Sequence, residues 1–194
     1  MLAVRRPRDS LRSRGVSDVR ELEGFLLARE WRDGQDGVEI TLWVRTDAGT
    51  VRARFPREEA VMFVPRHVPT ESGRRAASEL VTFAGTALDA VYFRSQRALA
   101  AERERVRLTL GVALESDVKT SDRFVMERFV TGGVALRGPV GVRRGVLEML
   151  EPRLRAADVR PRLSLLSLDL ETDGWDGPIL SAALAGDGVR RVIL

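Results

Sequence analysis

The residues best suited to do chemistry are Asp169 and Glu171, in the run Leu163-Ser-Leu-Leu-Ser-Leu-Asp-Leu170 followed by Glu171-Thr-Asp-Gly174. On a strand, positions i and i+2 share one face, about 6.5–7 Å apart along the chain, so both carboxylates leave from the same side. Leu166, Leu168 and Leu170 alternate with them and are expected to pack on a core layer. Two neighbouring carboxylates repel, and desolvating each costs several kcal/mol, so the pair calls for a cation. Hard oxygen donors select Mg²⁺ or Mn²⁺, and two such ions about 3.5–4 Å apart are a known device for cutting a phosphodiester. One ion helps to generate the attacking hydroxide, and the other stabilises charge on the leaving 3′ oxygen. The plainer reading is a solvated pair, because Asp-x-Glu arises readily by chance among 28 acidic residues. The unbroken leucine run before the pair and the Thr172-Asp173-Gly174 turn after it favour the metal.

Other residues offer less. His67 is the only histidine, beside Arg66 in a proline-bounded loop with no nucleophile to partner it, and reads as a surface residue. Gly85, Gly132-Gly133 and Gly138-Pro139-Val140-Gly141 lack the Gly-Lys-Ser/Thr ending of a phosphate-binding loop and read as turns. Trp31, Trp43 and Phe63 could stack on single-stranded bases from an open barrel; aromatics so placed are more often core or sheet cover.

The elements that position these residues are mostly strands. Val38, Ile40, Leu42 and Val44 alternate with Glu39, Thr41, Trp43 and Arg45, and Val51, Ala53 and Phe55 alternate with Arg52 and Arg54. Residues 46–50, with Gly49 among them, close a β-hairpin. Residues 24–31 and 60–64 read as flanking strands, the second ended by Pro65. A short helix is expected over 72–80, and 81–93 mixes strand-like runs with a break at Gly85. Residues 94–106 read as a charged surface helix. Ser121 is expected to cap a helix over 122–129 whose stripe is Phe124, Val125 and Phe129, ended by Gly132-Gly133. Residues 142–154 are ambiguous: Val146, Leu147 and Leu150 suit a helix, but Gly145 and Pro152 would limit it. After Pro161, three strands are expected over 163–170, 179–185 and 189–194.

The chain has 194 residues, 44% hydrophobic and 31% charged, which excludes general disorder and permits one domain or two small ones. With no Cys, a disulfide scaffold is excluded. Arg5-Arg6 follows Met1 too closely for a signal peptide, and no run approaches the ~20 apolar residues of a membrane helix. A cytoplasmic location with no membrane partner is expected. The net charge of +4 resides in residues 1–20, which hold six arginines against two acids; the remainder balances 26 basic against 26 acidic residues. Net charge therefore says little about DNA, and residues 1–21 read as a basic tail, frayed or touching a polyanion. Lys119 is the only lysine.

Ser167-Leu168-Asp169-Leu170-Glu171-Thr172-Asp173-Gly174 resembles the first exonuclease motif of the family B DNA polymerases. Gly24-Phe25-Leu26-Leu27, Trp31-Arg32-Asp33, Thr41-Leu42-Trp43, Thr46-Asp47 and Phe124-Val125-Met126-Glu127-Arg128-Phe129 follow in family order and look like the N-terminal domain of the bacterial polymerase II type. The resemblance covers residues 22–194 and departs at Arg137-Gly138-Pro139, where an acidic residue would fit the pattern. It implies an α+β/α/β fold: a β-rich N-terminal domain with helices over 22–155, then the first strands of a ribonuclease-H-like 3′→5′ exonuclease domain over 156–194. It makes Asp169 and Glu171 catalytic metal ligands for Mg²⁺ or Mn²⁺, in a two-ion site completed by residues beyond Leu194. It implies primer-template DNA with a single-stranded 3′ end as partner, deoxynucleotides in the whole enzyme, a sliding clamp, and a place near the bacterial nucleoid. The chain reads as a partial enzyme, expected alone to have neither polymerase nor exonuclease activity and to be poorly stable. Its rivals are a stand-alone Asp/Glu-type 3′→5′ exonuclease and a non-catalytic nucleic-acid-binding module.

Overall fold

The computed structural model describes residues 18–161 and 163–194. Most of the expected basic tail lies outside the described residues. The chain divides into two compact units, one ending at Val159 and the other starting at Arg160.

The first unit is built on β1 (Val19–Asp33), β2 (Val38–Thr46), β3 (Gly49–Glu58), β4 (Ala60–Pro65), β5 (Arg74–Val81), β6 (Ala87–Phe93), α1 (Gln96–Leu110), α2 (Thr120–Met126), β7 (Gly133–Pro139), β8 (Gly141–Arg143), β9 (Val146–Leu150) and β10 (Arg153–Ala156). Seven strands form one sheet in the order β10-β7-β1-β2-β3-β9-β8, and β4-β6-β5 form a second. The expected hairpin is β2–β3, with Thr46 paired to Gly49. Its alternation decides the core: Val38, Ile40, Leu42, Val44, Val51 and Ala53 are fully buried against Met62, Val91, Leu99, Val106 and Phe124 from the second sheet and the two helices. The Arg, Thr and Trp residues between them form the outer face.

Several expectations change. Residues 72–80 are not a helix, because Arg74 to Ala77 pair antiparallel with Tyr92 to Asp89. Extended backbone carries the Arg75 guanidinium to Asp89 at 2.8 Å and to the carbonyls of Val68 and Arg66, a tertiary gain that outweighs helix propensity. The charged helix is α1, but it is not merely a surface helix. Leu99 and Val106 are buried in the core, and Glu102 is buried where it accepts bonds from Ser72, the Glu71 N–H and Arg105.

The next helix runs over 120–126 with Lys119 at its N-cap; Ser121 lies inside it and is buried. Phe129 leaves the stripe, exposed and at φ 54°, because the chain turns after Met126 and the Val130 N–H closes back on the Val125 carbonyl. Residues 142–154 are strands: Arg144 and Gly145 both take positive φ (53° and 78°), the two-residue hairpin turn that pairs Arg143 with Val146. β1 already begins at Val19.

The second unit is an antiparallel meander of β11 (Ser167–Thr172), β12 (Ile179–Gly186) and β13 (Val189–Ile193). The second and third strands fall where the sequence predicts them, while the first runs over Ser167–Thr172 rather than 163–170, because its ladder to β12 begins only at Ser167, opposite Ala185. Its leucine face is not packed on a core layer: Leu168 is 58% and Leu170 46% exposed. A single three-stranded sheet has no second layer of its own to cover that face.

Candidate functional site

Asp169 and Glu171 sit on β11, opposite Ala183 and Ser181 of β12. The register keeps both carboxylates on one face, above two small side chains that leave room beside them. A register shift follows between Glu171 and Thr172, where the strand gives way to a turn closed by the Asp173 N–H donating to the Pro178 carbonyl and the Thr172 hydroxyl donating to the Gly174 carbonyl. The pair is exposed, and among the described residues neither carboxylate has a hydrogen-bond or ion-pair partner. Among the described residues no arginine caps them. Two hard oxygen donors on one face suit Mg²⁺ or Mn²⁺, but no cluster of three or more metal-ligating side chains exists among the described residues. The pair therefore offers part of a coordination shell.

The three aromatics do not form one stacking surface. Trp43 lies on the outer face of the large sheet, with the Arg52 guanidinium 5.8 Å from its ring centroid. Trp31 pairs with Ile40, a core-facing residue, so its side chain leaves from the opposite face. Phe63 lies under Arg123, 5.4 Å away. His67 is exposed in its loop.

The sequence reading did not single out the group around Trp43. Strand alternation and register aim Arg32, Glu39, Thr41, Arg52, Arg54 and Arg143 to the same outer face, where they line a cavity of about 450 Å³. Glu39 is buried between two guanidiniums, accepting from Arg54 Nη2 at 2.8 Å and from Arg32 Nη2 at 3.0 Å. The Arg54 hydrogen bonds, helped by Arg32 and opposed by burial, lower its pKa to about 2. Arg52 is held by Glu148 of β9. The alternation was visible in the sequence, but the parallel β3–β9 pairing that brings in Glu148 and Arg143 joins segments about ninety residues apart and had no local signature.

Residues 24–59 match the family model described as DNA polymerase II, N-terminal. Across 180 residues, 88% of this chain, the sequence is 32% identical to DNA polymerase II of Escherichia coli strain K12, of which it covers 22%. The chain thus spans about a fifth of the length of that curated relative. Among solved structures, the family B DNA polymerase of the hyperthermophilic archaeon Pyrobaculum calidifontis superposes with a TM-score of 0.62 at 17% identity, over 88% of this chain and 26% of that one. That likeness establishes a shared fold.

Proposed function

We propose that this chain, a member of the DNA polymerase II group of the family B DNA polymerases, forms the N-terminal region of an enzyme that extends DNA on a template and removes nucleotides from its 3′ end. The observation that carries the reading is the extent of the sequence match, which spans 88% of the chain rather than the Asp-x-Glu segment alone. A match that includes residues 24–59 favours this reading over a free-standing exonuclease or a non-catalytic binding module.

In this reading the first unit is the polymerase N-terminal domain. The second is the opening meander of a ribonuclease-H-like exonuclease, in which Asp169 and Glu171 hold the divalent ions. Mg²⁺ or Mn²⁺, when bound, would supply the hydroxide and stabilise the leaving oxygen. The shared face, the small residues opposite and the lack of a competing cation among the described residues support that assignment. Primer-template DNA, deoxynucleotides and a sliding clamp are its partners. No described helix is long and apolar enough to cross a membrane; work in the bacterial cytoplasm, beside the nucleoid, is part of the same proposal.

The test is a chimaera in which this chain replaces the matching region of the Escherichia coli enzyme. It should add nucleotides and digest single-stranded 3′ ends. The double substitution Asp169→Ala and Glu171→Ala should then lower digestion by at least about a hundredfold while leaving addition unchanged, as expected for losing the ligands of a catalytic ion. Digestion that survives the double substitution would refute the assignment. The 194-residue chain alone should do neither reaction, and processive 3′→5′ digestion by it would count against the proposal.

A further inference from the structure

We infer that the outer face of the large sheet, around Trp43, is a binding site for nucleoside phosphates, and that a single-stranded nucleic acid is the source it fits best. The inference rests on the DNA-processing reading only for the identity of that strand.

Unused donors line this face. Glu39 takes Nε and Nη2 of Arg54 and only Nη2 of Arg32, while Glu148 takes Nη2 of Arg52. These acids hold the guanidiniums in place without exhausting them. Nη1 of Arg54 and Nε and Nη1 of Arg32 remain available. Arg143 and Arg144 are exposed and have no acidic partner among the described residues. Four arginines against Glu30 and Glu39 leave the cavity wall net positive. Guanidiniums fixed by carboxylates lose little further freedom on binding a phosphate, and their planar forks match its oxygens.

The shape selects the ligand. A volume of about 450 Å³ falls within the roughly 300–1,000 Å³ of small-molecule sites. A second cavity of about 200 Å³, which adds Arg144, shares Trp43, Arg52 and Arg143 with the first. Two adjoining cationic hollows with a half-buried indole in their common wall suit successive phosphates with a base against the ring. An acidic peptide would use the charge but not the indole.

The experiment uses the whole 194-residue chain and a fluorescein-labelled short oligothymidylate, followed by anisotropy and by tryptophan emission. Binding should quench the emission, and Trp43→Leu should remove most of that quench. The double charge reversal Arg143→Glu and Arg144→Glu, at exposed positions where folding is checked by circular dichroism, should weaken binding at least about tenfold and flatten its salt dependence. Binding is read in EDTA, with no divalent ion for Asp169 and Glu171 to hold, so this site and the proposed metal site fail separately. Thymidine monophosphate binding as tightly as the oligomer would support the site and assign it to free nucleotides; tighter oligomer binding assigns it to a strand. Three results would overturn the inference: no binding of either probe, equal affinity for an oligoglutamate peptide, or affinity within about twofold of the parent in both altered proteins. The last would place binding elsewhere, such as the arginines of the first seventeen residues.

Discussion

β2 and β11 are written in the same alternating code and meet opposite fates. In β2, Val38, Ile40, Leu42 and Val44 are fully buried, whereas in β11 Leu168 and Leu170 remain about half exposed and no residue of the strand is buried. Alternation specifies a strand and its apolar face, but only a second layer decides whether that face contributes stability. The first unit has that layer, made of β4, β6 and both helices, and the second unit lacks one of its own. The division matches the proposed roles: a packed frame on one side, and on the other a short sheet whose value lies in two carboxylates.

The comparison breaks first at the core. Leu42→Ala should cost about 2–5 kcal/mol in urea unfolding followed by circular dichroism, because it opens a cavity in a fully buried cluster. Leu168→Ala, the matching change in β11, belongs at the other end of the scale. A comparable loss there would mean that the leucine face is covered.

Glu39 gives the next largest effect. Glu39→Ala leaves Arg54 and Arg32 without their shared acceptor and should cost about 1–3 kcal/mol. Its folded pKa, about 2, lies below its ordinary 4.5, so protonation opposes folding. The stability it adds is complete above about pH 4.5 and drains away as pH falls toward 2. Glu39→Gln should flatten the acid limb of the pH–stability curve in that window, and an unchanged limb would remove Glu39 as its source.

Smaller again is Ser95→Ala, which removes the hydroxyl that accepts the Ala98 N–H at 3.1 Å at the start of α1. The expected loss is about 1 kcal/mol. Leu168→Ala should change unfolding by less than about 0.5 kcal/mol, the range of an exposed position.

The hairpin of β2 and β3, the three strands of the second unit and the shared face of Asp169 and Glu171 could all be read directly, because each rests on a period-two pattern and a local turn. β5 could not, since its extended backbone is set by pairing with β6 and by Arg75 reaching Asp89, neither of which leaves a mark near residues 72–80. The same holds for α2, where Ser121 looked like a cap but is buried inside the helix. The arginine face around Trp43 needed tertiary pairing as well: its polar alternation was plain, while the Glu39 and Glu148 carboxylates that fix the guanidiniums arrive through strand register.

The account turns on whether Asp169 and Glu171 accept a divalent ion. Titrating the isotopically labelled chain with Mn²⁺ should broaden the amide signals around 169–171 and their β12 neighbours, Ser181 to Ala183, before any others, and Asp169→Ala with Glu171→Ala should abolish the effect. Broadening centred elsewhere, or unchanged in the double variant, would contradict it.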